Sequence, residues 1–201
     1  MYKTFLITLL LSLLVPVLIF VDFKIINGNC GEYGIVEIAQ EVIILILSVY
    51  SFVSLKKVLG NIAYGLGAFF LLIFIRELDF LFDNIYHGAW FVIALVSMAI
   101  CVIKYYLEYI KTSKFKELKK ELKLFAQTKD FNLFGLGIVI VLIFSRIMGT
   151  GSLWKVILDE NYDRIIKTVI QEGVELYGYG IALLALLSIS SQLKKYAVEK
   201  K

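Results

Sequence analysis

The sequence predicts an all-α membrane protein, a bundle of about six transmembrane helices that forms a single integral membrane domain over residues 1–201. Two observations support this fold class. The chain is 60% hydrophobic and has a mean hydropathy of +0.83, whereas soluble domains average roughly 45–50% apolar residues. Several apolar runs also reach about 17–25 residues, the length that crosses a hydrocarbon core. Nearly all residues fall in these runs or in short connections, which leaves no room for a separate soluble catalytic domain.

Six apolar runs define the predicted spans. The first run follows Lys3, but no small-x-small cleavage site comes after it, so we expect a span rather than a signal peptide. An even number of spans places both termini on the same side of the membrane. The predicted spans are Thr4–Val21, Gly34–Leu55, Asn61–Phe82, Ala89–Leu107, Phe131–Thr150 and Ile165–Ser191.

Basic residues are concentrated on one side of this arrangement. The termini and connections on that side hold 15 of the 21 Lys and Arg residues. Cytoplasmic loops carry an excess of Lys and Arg, so both termini are expected in the cytoplasm and the chain in the plasma (inner) membrane. Trp90 and Tyr86 then lie near the outer end of the fourth span, where aromatic residues position a helix in the lipid bilayer. No nucleic-acid partner is predicted.

The longest connection, about Glu108–Asp130, is predicted to be an amphipathic cytoplasmic helix. Phe115, Leu118, Leu122 and Phe125 are spaced by three, four and three residues and therefore share one face, while the other faces are rich in lysine. Such a helix is typical of the membrane interface. A solvated connector and a docking surface for a cytoplasmic protein partner are the alternatives.

Ionisable residues within membrane spans are costly and by default mark a functional site. Glu37 and Glu41 are four residues apart, and Glu172 and Glu175 are three apart, so each pair shares one helical face. The same spacing is expected to place Arg76, Asp79 and Asp83 on one face. We expect the second, third and sixth spans to meet around these residues. The full set comprises the acids Glu37, Glu41, Glu77, Asp79, Asp83, Glu172 and Glu175, the charge-balancing Arg76 and Arg146, and Lys167.

The seven acids of this set outnumber its three basic residues. Crowded carboxylates take up protons or bind cations. The sequence therefore predicts an outward-facing acidic site for proton or cation transport or conduction, with Glu41 and Glu175 as its deepest acids and a bound cation as the candidate cofactor. A homo-oligomer is expected, because six helices form a thin bundle and closed symmetric assemblies are common.

Three other interpretations of the charged residues remain open. In the first, the arginines only neutralise buried acids and stabilise the bundle, and the charged residues bind no ligand and catalyse no reaction. Alternatively, the chain is a multi-span sensor or partner subunit that docks a cytoplasmic protein. A metal-dependent intramembrane enzyme is the third, with Asp83 and His87 as candidate metal ligands. With a single His in the chain, a histidine-rich oxygenase site is excluded.

One string of residues occurs twice. Gly-Leu-Gly is followed by Leu-Ile-Phe-x-Arg in the same register, once from Gly65 to Arg76 and once from Gly135 to Arg146. Repeated halves are common in transporters, so an internal duplication is one explanation. The spans that follow do not match in the same register, which favours the other explanation, that these glycines let helices pack closely.

Overall fold

A computed structural model of the chain describes residues 2–26, 34–84, 86–110 and 115–199. This part of the chain is helical and contains no strand, which confirms the predicted all-α class. π-helical turns follow three of the helices, at Asp22–Ile26, Ser51–Leu55 and Ile140–Phe144, and a 3-10 turn spans Asp159–Asn161. The α-helices are α1 (Tyr2–Val21), α2 (Ile35–Tyr50), α3 (Lys56–Glu77), α4 (Asp79–Asp83), α5 (Ala89–Ile110), α6 (Phe115–Ala126), α7 (Phe131–Val139), α8 (Ser145–Met148), α9 (Gly151–Leu158) and α10 (Arg164–Glu199).

Five stretches of the described residues are long and apolar enough to cross a membrane. One of them, Ile35–Glu77, covers both the second and the third predicted span and is 43 residues long. It is not a continuous helix, because Gly60 has φ +51° and ψ −112°. A positive φ of this kind is accessible to glycine and strained for other residues. The other four stretches are Leu6–Ile25, Ala89–Leu107, Phe131–Met148 and Arg164–Tyr196.

The described chain divides into two compact units. The first unit contains residues 1–43 and 132–186, and the second contains residues 44–131 and 187–201. Each unit combines residues from distant parts of the sequence. The prediction of one integral membrane domain stays a prediction.

In the first unit, α10 packs closely against two neighbouring helical segments through its glycines. A Cβ atom at Gly178 would lie 2.7 Å from Val141 Cγ2, and one at Gly137 would lie 2.8 Å from the carbonyl oxygen of Gly178. On another face of α10, a Cβ at Gly180 would lie 2.6 Å from Leu11 Cδ2 of α1. Real Cβ atoms essentially never approach other atoms this closely, so the absence of a Cβ at these glycines permits the close packing of α10.

A shared apolar core joins α1, α2 and α10 within the first unit. Val15, Val36 and Leu176 are buried, one from each helix, and pack against half-buried apolar side chains from all three. Burial of such side chains stabilises by about 1.5–3 kcal/mol each in water, but neighbouring lipid is equally apolar, so close packing is the main stabilising interaction within a membrane. This core fixes α2 beside α10, which positions the polar residues described below.

The second unit contains a helical hairpin that turns at Gly60. Ser48 Oγ donates a hydrogen bond to the Gly67 carbonyl oxygen at 3.0 Å, and the Phe52 and Tyr64 rings meet edge to face with centroids 5.3 Å apart. The two contacts are nested, because Phe52 and Tyr64 both lie nearer to Gly60 in the chain than Ser48 and Gly67 do. The two arms of Ile35–Glu77 that flank Gly60 therefore run antiparallel where these contacts form.

The amphipathic helix α6 holds this turn through Glu121. Glu121 Oε2 accepts hydrogen bonds from the backbone N–H groups of Asn61 and Ile62, at 2.9 Å and 3.2 Å. These N–H groups begin the helical arm that follows Gly60, so the carboxylate caps that arm and complements its dipole. α6 covers Phe115–Ala126 only, a shorter segment than the predicted helix. Residues 111–114 of the prediction lie outside the described residues.

The apolar stripe of α6 is partly covered by the second unit itself. Phe125 is 4% exposed and meets the Phe131 ring with centroids 5.3 Å apart. Leu118 and Leu122 line a groove with Ile62 and Leu66 of α3 and Tyr105 of α5. The stripe therefore lies beside α3, which α6 contacts, while Leu122 remains 52% exposed in the groove.

Candidate functional site

Among the predicted acids whose side chains the structure describes, Glu175 on α10 is the most deeply buried. Its side chain is 2% exposed. Its Oε1 lies 3.4 Å from Nη2 of Arg146 and accepts a hydrogen bond of 3.1 Å from Nε2 of Gln171. A buried carboxylate is stable only when charge and hydrogen bonds compensate it. Arg146 and Gln171 supply both, so the structure joins two residues that the sequence placed 29 positions apart.

The position of Arg146 follows from the local structure around it. Ser145 Oγ donates a hydrogen bond of 2.5 Å to the Val141 carbonyl oxygen at the end of the π-helical turn. Arg146 lies in the next helical turn, α8, which Gly149 terminates. The Arg146 side chain is 39% exposed. The pair therefore has one end in the packed interior and one end at the surface of the described structure.

Gly149 creates the space that the Gln171 side chain occupies. A Cβ atom at Gly149 would overlap Oε1 of Gln171. The Gly149 carbonyl oxygen also accepts a hydrogen bond of 3.4 Å from Nζ of Lys167, one turn earlier on α10. Gly149 therefore contacts both the Gln171 amide and the Lys167 ammonium group of α10, and Lys167 has a backbone carbonyl oxygen as its hydrogen-bond acceptor.

A second polar contact joins α2 to α10. Gln40 is 1% exposed, and its Nε2 donates to the Glu172 backbone oxygen at 2.8 Å and to Glu172 Oε2 at 3.1 Å. Glu172 lies three residues before Glu175 on the same helical face. We refer to Gln40, Glu172, Gln171, Glu175 and Arg146 as the carboxylate site. The predicted meeting of the second and sixth spans is therefore observed at Gln40 and Glu172.

Three further acids of the first unit have one buried carboxylate oxygen without a hydrogen-bond partner among the described residues. These oxygens are Oε2 of Glu37, Oε1 of Glu41 and Oδ1 of Asp22. The other carboxylate oxygen of Asp22, Oδ2, accepts a hydrogen bond of 3.4 Å from the Val36 N–H at the start of α2. Asp22 is 0% exposed. Such oxygens are destabilising unless they are protonated, hydrogen bonded or bound to a cation.

The remaining predicted residues are distributed over both units. Glu37 is half-buried on α2, one turn before Glu41. Arg76 belongs to the second unit, where its Nη1 lies 3.5 Å from Oε1 of the adjacent Glu77. The prediction that Arg76 balances the charge of Glu41 and Glu175 stays a prediction.

The structure corrects the expected common face of Arg76, Asp79 and Asp83. α3 ends at Glu77, because Leu78 has φ −84° and ψ 16°, and a separate short helix begins at Asp79. The regular spacing on which that expectation depended is therefore interrupted. Asp79 is exposed, and the Asp83 side chain lies outside the described residues.

The candidate metal ligands Asp83 and His87 lie at the end of α4 and in the turn before α5. His87 is exposed. In the part of the chain that the structure describes, no three His, Cys, Asp or Glu side chains are grouped so that they could hold a metal ion. The metal assignment stays a prediction.

Sequence reasoning missed Asp22, Gln40 and Gln171. The two glutamines carry no charge, and the search for costly intramembrane residues considered ionisable groups only. A signal was nevertheless present, since Gln40 lies between Glu37 and Glu41, and Gln171 directly precedes Glu172. Asp22 was omitted because the first span was expected to end at Val21, whereas the first apolar stretch extends to Ile25.

Comparisons with protein-family models, with curated proteins and with solved structures give no match to this chain.

Proposed function

We propose that the chain is a six-span inner-membrane protein that binds a proton or a cation at the carboxylate site and transports or conducts it across the membrane. Glu175 is the central proton or cation acceptor, and Arg146 balances its charge. Gln40 and Gln171 orient Glu172 and Glu175. Glu41 and Asp22 offer further carboxylate oxygens in the same unit.

The observation that carries this proposal is the burial of Glu175 within an apolar helix. The Glu175 side chain is 2% exposed, whereas the side chain of its partner Arg146 is 39% exposed. An ion that replaces the guanidinium, or a proton that neutralises the carboxylate, changes the contact between Arg146 and Glu175. Buried ionisable groups of this kind are found in proton relays and ion pathways of membrane proteins.

The proposed topology is supported by the turn at Gly60 and by the distribution of lysines. With that turn at a membrane surface, Ile35–Glu77 supplies two antiparallel spans instead of one. The six spans then leave both termini and the lysine-rich α6 on one side, which the excess of positive charge identifies as the cytoplasm.

Ion flux into liposomes tests the proposal. We would reconstitute the wild-type protein and Glu175→Gln, impose gradients of H⁺, Na⁺, K⁺ or Mg²⁺ in turn, and follow uptake with ion-sensitive dyes. The matched control is Glu160→Gln, because Glu160 is an exposed acid of the same unit. We expect flux of one of these ions in the wild type and in Glu160→Gln, and only the leak of protein-free liposomes in Glu175→Gln.

Absence of flux for every ion in folded wild-type protein would contradict the proposal, as would equal flux in wild type and Glu175→Gln. Where Glu175→Gln does not fold, Glu41→Gln provides a second variant. That substitution breaks no hydrogen bond at Oε1, since this oxygen has no hydrogen-bond partner among the described residues. A reduced flux in Glu41→Gln would support the proposal, and unchanged flux would remove Glu41 from it.

A second candidate function is a sensor or partner subunit that docks a cytoplasmic protein on α6. The observation in its favour is that Lys119, Lys120 and Lys123 are exposed while Glu121 holds the helix in place. Charge reversal of the three lysines to Glu tests it by co-purification. Loss of a soluble acidic partner would favour this function, and unchanged retention of the partner would exclude these lysines as its docking surface.

A further inference from the structure

A groove between α3 and α5 in the second unit combines an apolar floor with one polar end. Its volume is about 380 Å³, and it is lined by Phe69, Leu72, Ile73, Arg76, Trp90, Phe91, Ala94, Leu95 and Met98. The guanidinium of Arg76 is the one charged group among these side chains. The rest of the lining is apolar or aromatic.

The polar and apolar ends of this groove follow from the direction of the two helices. Lys104 of α5 lies over the Tyr64 ring, 5.5 Å from its centroid, and a short connection joins the opposite ends of α3 and α5. The helices are therefore antiparallel, and Arg76 lies beside Trp90 while Phe69 lies beside Met98. At 1.5 Å per residue, the apolar part extends roughly 10 Å away from Arg76.

Arg76 retains donors that its contact with Glu77 does not use. Among the side chains that the structure describes, the ion pair of Arg76 is the one between its Nη1 and Glu77 Oε1, at 3.5 Å, and the Arg76 side chain is 46% exposed. A guanidinium presents five N–H groups in a planar fork that matches phosphate geometry. An exposed ion pair of this kind contributes about 0–1 kcal/mol, so a phosphate group can compete for the guanidinium.

We propose that this groove binds one phospholipid, with its phosphate on Arg76 and an acyl chain along the apolar floor. The charge at one end and the apolar lining beyond it match the two parts of such a lipid. Trp90 lies at the boundary between them, the position that tryptophan favours at a membrane interface. This site is separate from the carboxylate site, and the proposal does not depend on transport.

Quenching of Trp90 fluorescence tests the proposal directly. The chain has two tryptophans, so Trp154→Phe leaves Trp90 as the only reporter. Phosphatidylglycerol brominated on its acyl chains is added to this protein in detergent, and fluorescence is followed against the lipid fraction. We expect saturable quenching. Adding Arg76→Gln should raise the half-saturating lipid fraction about tenfold, because a charge-assisted phosphate contact is lost.

Two controls make the result specific. Arg164→Gln removes another exposed arginine, one outside the groove, and should change the half-saturating fraction less than about twofold. Ala94→Phe fills the groove without changing its charge and should abolish saturable quenching. This variant also keeps the test decisive where Arg76→Gln does not fold.

Quenching that does not saturate would overturn the proposal, as would equal effects of Arg76→Gln and Arg164→Gln. Competition with inorganic phosphate shows whether the groove recognises a whole phospholipid or only its phosphate group. We expect no displacement of the brominated lipid by phosphate, since the acyl chain contributes apolar contacts that phosphate lacks. Displacement by phosphate alone would show an anion site instead of a lipid site.

Discussion

Arg76 and Arg146 follow the same Gly-Leu-Gly string at the same distance, yet the two arginines have different environments. Arg146 lies 3.4 Å from Glu175, an acid on another helix whose side chain is 2% exposed. Arg76 lies 3.5 Å from Glu77, its neighbour in the chain, whose side chain is 13% exposed. The first contact joins two helices of the first unit, and the second lies within one helix end of the second unit.

This difference shows that the repeated string does not determine what its arginine does. The role of each arginine depends instead on which helix packs beside the string. α10 brings a buried carboxylate next to Arg146, and that carboxylate needs a positive charge. At Arg76 the partner is adjacent and partly solvated, so the pair contributes little to stability.

The largest expected effect is the difference in stability between variants that lack one or the other guanidinium group. Arg146→Gln should lower the free energy of unfolding by about 2–3 kcal/mol, because the buried Glu175 carboxyl group loses the partner that compensates it. Arg76→Gln should lower it by less than about 1 kcal/mol. Equilibrium unfolding in detergent, followed by circular dichroism, measures both values.

A double variant identifies the cause of the larger effect. Arg146→Gln combined with Glu175→Gln removes both charges, so no unpaired buried charge remains and part of the lost stability should return. If the double variant is as unstable as Arg146→Gln alone, the ion pair does not explain the difference. Equal effects of the two single arginine variants would contradict the comparison itself.

The helical regions could be predicted because apolar runs long enough to cross a membrane are easily recognised in the sequence. The predicted span Ala89–Leu107, for example, lies within α5 and has the same start. Helix ends were harder, since they depend on local backbone geometry. The third predicted span continued to Phe82, whereas α3 ends at Glu77 and Leu78 departs from helical geometry.

The candidate site could be predicted only in part, because spacing shows which residues share a helical face but not which helices are neighbours. Glu172 and Glu175 were found from their spacing. Their partners were not assigned, since the contact of Glu172 with Gln40 spans 132 positions. Such a contact depends on the packing of α2 against α10, which the sequence pattern does not contain.

The glycines of the repeated string provide a second comparison, with a smaller effect. A Cβ at Gly137 would lie 2.8 Å from backbone atoms of α10, whereas nothing lies within 4 Å of one at Gly135. Gly137→Ala should therefore destabilise the protein by about 1–2 kcal/mol, because the helices must move apart. Gly135→Ala should be neutral or stabilise it by up to about 1 kcal/mol, because alanine favours helix.

In the second unit, Gly65 and Gly67 are the corresponding glycines of the repeated string. A Cβ at Gly67 would lie 2.8 Å from the Phe52 ring, and one at Gly65 has open space around it. An aromatic ring can shift more easily than backbone, so Gly67→Ala should cost less than Gly137→Ala in thermal unfolding. A larger loss in Gly67→Ala would reverse this order and show that the Phe52 side chain is held rigidly.

A third comparison concerns Glu121, an acid of the second unit that binds backbone N–H groups instead of an arginine. Glu121→Ala should lower the free energy of unfolding by about 1 kcal/mol, the usual contribution of a helix N-cap, since the N–H groups of Asn61 and Ile62 lose their acceptor. Glu117→Ala is the matched control, because Glu117 is an exposed acid of the same helix. Unfolding in detergent and protease cleavage near Gly60 measure the two variants. If both lose the same stability, the turn does not depend on the Glu121 carboxylate, and helix packing alone holds α6 in place.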